Sequence, residues 1–262
     1  MTELAREVLG FDLRAAVGKV LGRARPSLAT EVAQPALCVA GLVSFDAAAR
    51  RGVNADVLIG HSVGEYTALA AAGAITPRDA IRLVAARGRA MARAALAHPG
   101  GMAAVRGVRL EALETICADA GAAVANDNSP DQVVIAGDER SLNDAARAIA
   151  SAGGRSVLLP VSGAFHTPAM GGAEDALREA LDHSEITMPS VPVVSNLTAR
   201  PYRAPGEIRK LLLHQLTGRV RFRESVEWVC REGVPEIVDF GPGTIAGRLA
   251  GATLTRLERA DA

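Results

Sequence analysis

Gly60-His61-Ser62-Val63-Gly64 sets a hydroxyl between two glycines where Asp56-Val57-Leu58-Ile59 reads as a short buried strand and Glu65 to Ala72 as an alanine-rich helix. A sharp strand-to-helix turn is the setting in which serine acts as a nucleophile. Small neighbours permit a strained backbone that lifts the hydroxyl clear of the sheet, and the first helical amides face whatever binds there. Ser62 could instead be an ordinary helix N-cap. As a nucleophile it needs a base, and five histidines are available. His61 adjoins the serine and points the wrong way to serve it, and His98, His183 and His214 fall in polar helix ends or loops. His166 lies in Pro160-Val161-Ser162-Gly163-Ala164-Phe165-His166-Thr167-Pro168, after a strand and before a helix, where α/β sites assemble.

A guanidinium buried beside such a nucleophile would grip a planar carboxylate through two parallel hydrogen bonds. Arg82, Arg87, Arg89 and Arg93 share the helix after the turn. Arg87 stands in the apolar stretch Leu83-Val84-Ala85-Ala86-Arg87-Gly88, next to a glycine that would admit another backbone. The competing reading is a surface arginine laying its stem over apolar neighbours.

These residues need a scaffold, and the pattern supplies an α/β one. An amphipathic segment (Leu4 to Leu21) and an apolar helix (Pro35 to Ala49) precede the strand and turn. Thr76 and Pro77 open a helix to about Ala95 as N-cap and first helical residue. Between 98 and 160 the order becomes strand Met102 to Val105, helix Leu110 to Ala120, strands Ala122 to Ala125 and Gln132 to Ala136, helix Leu142 to Ala152, strand Ser156 to Leu159. Asn126 to Asp131 is the expected turn between the central strands. That βαββαβ order is the ferredoxin-like split motif, predicted as a small subdomain at 98–160 inserted in a larger hydrolase-like α/β body with a parallel sheet at 1–97 and 161–262. The body resumes with a helix from Pro168 to Leu181, the strand Val191 to Ser195, helices near Glu207 to Gln215 and Arg223 to Arg231, the strand Glu236 to Phe240, and a last short helix.

Composition narrows the function classes. With 29 basic and 29 acidic residues, the zero formal charge argues against a nucleic-acid partner, and Arg219-Val220-Arg221-Phe222-Arg223 reads as a solvated face. Cys38, Cys117 and Cys230 are odd in number and set among apolar neighbours, so neither disulfides nor a metal site is expected, and the cytoplasm is the predicted location. No apolar run of membrane-spanning length and no signal-peptide pattern is read, so no membrane association is expected.

The segments Gly60 to Tyr66, Arg87-Gly88, Ala125 to Val134, Val161 to Pro168, Gln215-Leu216 and Val238 to Gly243, in this order, resemble the malonyl-CoA:acyl-carrier-protein transacylases and the acyltransferase domains of fatty-acid and polyketide synthesis. The resemblance covers nearly the whole chain. It implies a ping-pong acyl transfer from coenzyme A, as a thioester substrate rather than a bound cofactor, to the pantetheine thiol of an acyl carrier protein. On it Ser62 is the nucleophile and His166 the base, oriented by a main-chain carbonyl at Gln215. Arg87 holds the malonyl carboxylate, and the Val63 amide is one oxyanion donor. It further implies that His61, Asn126 and Asn128 border the pocket and that Phe165 crowds the α-carbon against branched substrates.

Members of that family usually begin with a strand and a Gly-Gln-Gly-Ser-Gln loop that supplies the second oxyanion donor, and neither is found here. A start upstream of Met1 is expected, as are exposed sheet edges and apolar surface in this chain. Two rivals remain open: a serine hydrolase acting on acyl thioesters, and an inactive truncated acyltransferase serving as a scaffold. A hydrolase would want a carboxylate on its histidine, but Asp127, Asp131, Asp138 and Asp144 all fall in the insert.

Overall fold

The computed structural model describes residues 1–21, 28–234 and 236–260. In chain order the elements are α1 (Thr2–Leu9), α2 (Leu13–Leu21), α3 (Thr30–Ala49), β1 (Leu58–Ile59), α4 (Gly64–Ala71), α5 (Pro77–Ala97), β2 (Gly101–Arg106), α6 (Leu110–Ala120), β3 (Ala123–Ser129) and β4 (Gln132–Gly137). There follow α7 (Glu139–Ser151), β5 (Arg155–Leu158), a 3-10 turn (Pro168–Ala173), α8 (Glu174–Asp182), β6 (Val193–Val194), α9 (Pro205–His214), β7 (Val220–Arg221), α10 (Phe222–Arg231) and α11 (Ile245–Ala260).

The ferredoxin-like unit is β2-α6-β3-β4-α7-β5, with sheet order β5-β2-β4-β3 and β7 added beyond β3. Its two faces follow from the two-residue period of a strand. Ala103, Val105, Val124, Val133 and Ile135 point to α6 and α7, packing on Leu113, Cys117, Leu142, Ala145 and Ile149. The alternate residues Met102, Ala125, Val134 and Ala136 point the other way, onto Ala164 and Phe165 at the edge of the body. Asp138 caps α7 by accepting the Ser141 amide at 2.7 Å, and Gly121 ends α6 in the left-handed region at φ 73°.

Several local expectations are corrected. The Leu4 to Leu21 segment is two helices, broken at Gly10 (φ 74°). The turn expected at Asn126 to Asp131 shrinks to Pro130-Asp131, because β3 runs on to Ser129 through two register shifts. Asn126 and Asp127 then pair in parallel with Val220 and Arg221, so β7 fastens the small sheet to the body. The arginines at 219–223 are not a plain solvated face. Val220 and Phe222 are buried, Arg223 clamps the buried Asp127 through Nε and Nη2, and Arg221 pairs with Glu224.

The sheet of the body is smaller than expected. β1 and β6 form a two-stranded parallel pair (Leu58 with Val193, Ile59 with Val194). Residues 236–240 are not in a strand ladder, and the last helix, α11, is sixteen residues long rather than short. An apolar cleft of about 400 Å³ lies between α3, the open edge of β1 and the 236–243 segment, with Leu37, Val53, Val238 and Ile245 exposed along it. Exposed edge and apolar surface thus both occur.

The apolar helix begins at Thr30 instead of Pro35. At 20 residues and mean hydropathy 1.5, α3 is long and apolar enough to cross a membrane by those two measures, contrary to the absence of any such run in the sequence reading. Here one side of α3, including Gln34, Pro35, Cys38, Gly41 and Leu42, is buried. Its N-terminus meets α5 at Gly88, where an added Cβ would lie 2.9 Å from Glu31 Cα and from the Thr30 carbonyl. Gly88→Ala should therefore force the two helices apart and cost about 1–3 kcal/mol. A thermal melt checks this, with a midpoint lowered by several degrees expected for a chain of this size.

Candidate active site

Gly60 closes the turn between β1 and α4. A Cβ there would stand 2.1 Å from the Gly64 carbonyl carbon, so only glycine fits, while Gly64 itself has open space at that point. Ser62 is held at φ 52°, a costly conformation for a residue with a side chain. The strain is matched by Asn196, whose Oδ1 accepts the Ser62 amide at 2.8 Å while its Nδ2 donates to the Gly60 carbonyl at 2.6 Å. Ser62 is not the cap of α4. That position is Val63, whose own N–H has no acceptor among the described residues.

The Ser62 hydroxyl meets His166 Nε2 at 2.8 Å, across 104 residues of chain. His166 Nδ1 lies 2.8 Å from the Gln215 main-chain carbonyl. A carbonyl can only accept, so Nδ1 carries the proton and Nε2 presents its lone pair to the serine. His166 also occupies the left-handed region at φ 61° and is buried. Burial first, then the nearby Arg87 cation, drives its pKa down to about 3 against the opposing Gln215 hydrogen bond. The imidazole is neutral at physiological pH.

Arg87 is 1% exposed, which overturns the surface-arginine alternative. Its Nη2 donates to Ser62 Oγ at 3.2 Å and to Gln215 Oε1 at 2.8 Å, its Nη1 donates to Gln34 Oε1 at 2.7 Å, and its carbon sits 5.7 Å from the centre of the Tyr66 ring. Helical spacing explains the choice among the four arginines. Val84, Arg87, Gly88, Met91 and Ala95 form one buried stripe of α5, whereas Arg82, Arg89 and Arg93 face out.

Other expected residues divide. His61 Nε2 meets Asn128 Oδ1 at 2.7 Å, and its ring stands edge-on to Phe222 at 5.1 Å, so both lie where the body meets the small sheet. Phe165 packs beside His166 between the two cores. Gly163 makes room for its ring, since a Cβ there would stand 2.7 Å from it. Asn126 is buried in β3 and is not hydrogen-bonded to Ser62, His166 or Arg87. Among the described residues no aspartate is hydrogen-bonded to His166: its nitrogens meet Gln215 and Ser62, Asp127 is taken by Arg223, Asp138 caps α7, and Asp144 pairs with Arg147. The Cys38 and Cys117 thiols are pushed up to about 11 by burial, which leaves them protonated at neutral pH.

Sequence reasoning missed Gln34, Glu65, Asn196 and Tyr202. Gln34, Glu65 and Asn196 are buried polar residues inside or beside apolar stretches, where periodicity expects either a core residue or a solvent-facing one, and Tyr202 is buried in a segment of arginines and prolines that reads as a surface loop. The one available signal was Glu65 itself, an acid on an otherwise apolar, alanine-rich helix.

A strained serine sharing its proton with a neutral imidazole, at a strand-to-helix turn, is the equipment of enzymes that work through an acyl-serine ester. The sequence matches the acyl transferase domain family over residues 7–240. It is 36% identical over 243 residues to the malonyl CoA-acyl carrier protein transacylase of Bacillus subtilis (strain 168), covering 90% of this chain and 77% of that protein. The fold superimposes with a TM-score of 0.89 at 34% identity on the acyl-carrier-protein S-malonyltransferase of Burkholderia pseudomallei 1710b, covering 96% of this chain and 83% of that one. It superimposes at 0.90 and 33% identity, with 97% and 84% covered, on the malonyl-transacylase PlMCAT, solved in complex with AntF, its type II polyketide synthase acyl-carrier protein. The chain belongs to the acyl transferase domain family.

The depressed pKa of His166 has a testable sign. An imidazole with the usual value near 6.5 would lose about tenfold of its neutral form between pH 7.5 and 5.5, while one at about 3 loses almost none. Labelling of Ser62 by phenylmethylsulfonyl fluoride, followed by mass spectrometry, should hold its rate over that range and vanish in His166→Ala. Linkage runs the same way. The unfolded chain binds a proton below about 6.5 that the folded site refuses until about 3, so this group's contribution to stability is full above 6.5 and is lost as pH falls through that window.

Proposed function

We propose that this protein transfers a malonyl group from coenzyme A to the phosphopantetheine thiol of an acyl carrier protein through an ester on Ser62. The observation that carries the proposal is the position of Arg87, a buried cation 3.2 Å from the same hydroxyl that lies 2.8 Å from His166. A nucleophile alone would acylate with any thioester. One flanked by a buried guanidinium favours an acyl group ending in a carboxylate.

In the first half-reaction Ser62 Oγ attacks the thioester carbonyl and passes its proton to His166 Nε2. The carbonyl oxygen becomes an oxyanion for which the Val63 amide is a donor at the start of α4. The intermediate collapses, the carbon–sulfur bond breaks, and the departing sulfur takes the proton back from His166. The carrier thiol then repeats the sequence in reverse, giving its proton to His166 and leaving Ser62 free. The Gln215 carbonyl holds Nδ1–H throughout, which stabilises the transient imidazolium without a carboxylate. Arg87 exchanges neutral hydrogen-bond partners for the malonyl carboxylate. An acetyl group leaves the guanidinium on those neutral partners and forgoes the charged pair, which disfavours it.

His61, Asn126 and Asn128 are assigned to the wall of the substrate cleft, and Phe165 to the face that limits branching at the α-carbon. The division of labour follows the chain: the body at 1–97 and 161–262 carries the chemistry, and the insert at 98–160 covers it. Reduced cysteines and a coenzyme A substrate fit a cytoplasmic setting.

Incubation with radiolabelled malonyl-CoA should label Ser62, and addition of carrier protein should discharge the label onto the carrier. Rapid loss to water, or no label, would sink the proposal. Arg87→Ala should lower kcat/KM for malonyl-CoA by about a hundredfold or more, the usual penalty for removing half of a buried charged pair, while leaving acetyl transfer unchanged or raised. Phe165→Ala should improve methylmalonyl-CoA relative to malonyl-CoA by about tenfold, read as the ratio of the two kcat/KM values.

A further inference from the structure

Glu65 is 1% exposed and touches none of the reacting atoms. Its Oε1 accepts from the Tyr202 hydroxyl and from the Asn196 main-chain N–H at 3.2 Å, and its Oε2 accepts from Gln215 Nε2. The same Gln215 Nε2 faces the Ser62 carbonyl at 3.1 Å and Asn196 Oδ1 at 3.2 Å, and Gln215 Oε1 accepts from Arg87 at 2.8 Å. A glutamine amide can be turned either way round at equal covalent cost, so its surroundings decide which end faces the cation. Every partner on the Nε2 side is an acceptor, and the carboxylate is the only one of them that carries charge.

We infer that Glu65 is a positioning residue for acyl-group selection: it fixes the orientation of the Gln215 amide and thereby keeps an oxygen, not an N–H, against Arg87. This rests on the transferase reading above and deepens it. The reason a carboxylate is required is geometric. In Glu65→Gln the new amide must keep its oxygen on the Asn196 N–H, which can only donate, so its NH2 turns toward Gln215. Unflipped, the Gln215 NH2 then meets that NH2, donor against donor; flipped, its oxygen faces the Ser62 carbonyl and Asn196 Oδ1 while its own NH2 confronts the Arg87 guanidinium, so neither orientation is satisfied as it is with the carboxylate.

The test uses Glu65→Gln at pH 8, above the value of about 7 to which burial raises this carboxyl. The ratio of kcat/KM for malonyl-CoA over acetyl-CoA should fall about tenfold, mainly through KM for malonyl-CoA, while the rate of Ser62 labelling by phenylmethylsulfonyl fluoride stays within about threefold of wild type. In protein carrying 15N-glutamine, the Gln215 side-chain amide signals should move, a readout that needs no substrate. Tyr202→Phe, which loosens the other carboxylate oxygen, should shift the ratio in the same direction by less and serves if Glu65→Gln does not fold. Parallel losses for both thioesters, collapse of Ser62 labelling, or unmoved Gln215 signals would overturn the inference. Wild type that takes no malonyl group onto Ser62 would instead overturn the transferase reading, leaving the amide signals to judge Glu65.

Discussion

Gln215 is the residue through which the site is assembled, because its main chain and its side chain serve different partners at the end of α9. The carbonyl fixes the tautomer of His166, while the amide reaches Arg87, Glu65 and the backbone of Ser62. Fully buried, it ties the Ser62 turn, the His166 loop and the helices α4 and α5, far apart in sequence, into one unit. In a low-dielectric interior each of these hydrogen bonds matters more than at the surface, and an unmet partner costs more. A main-chain acceptor behind the histidine brings no charge with it. That is compatible with a cation a few ångströms away and with an imidazole that must begin neutral.

The electrostatics are arranged to hold charge in reserve. Arg87 and Glu65 are both buried, yet they do not form a direct ion pair; Gln215 stands between them, accepting from one and donating to the other. A direct carboxylate on Arg87 would satisfy the cation and compete with an acidic substrate. A neutral amide holds the guanidinium in place and can be outcompeted. The same burial that raises Glu65 depresses His166.

The small sheet is fastened to the rest of the chain next to the Ser62 turn. Alternation along β2, β3 and β4 commits one sheet face to α6 and α7 and leaves the other for the body. The parallel β3–β7 pairing and the Arg223 clamp on Asp127 lock that contact, with His61 and Asn128 bridging it nearby. The small sheet thus packs on the rest of the chain with one face and builds a separate core with the other.

Much of this was legible in order along the chain. The turn at Gly60 to Gly64, the Thr76-Pro77 helix start and the βαββαβ rhythm are local patterns that carry their own backbone signals; His166 stood out by its position after a strand and Arg87 as a candidate by its apolar stretch, and the resemblance gave them roles and added Gln215. What failed were features decided by distant partners. Residues 236–240 look like a strand by composition yet have no ladder here, and β7 exists only because β3 lies alongside it. Amino-acid order alone determined which backbone turns were possible and which residue types could react. Which arginine is buried, which histidine meets Ser62, and the roles of Glu65, Asn196 and Gln34 were settled only by tertiary structure, because burial and hydrogen-bond pairing depend on neighbours brought together from across the chain.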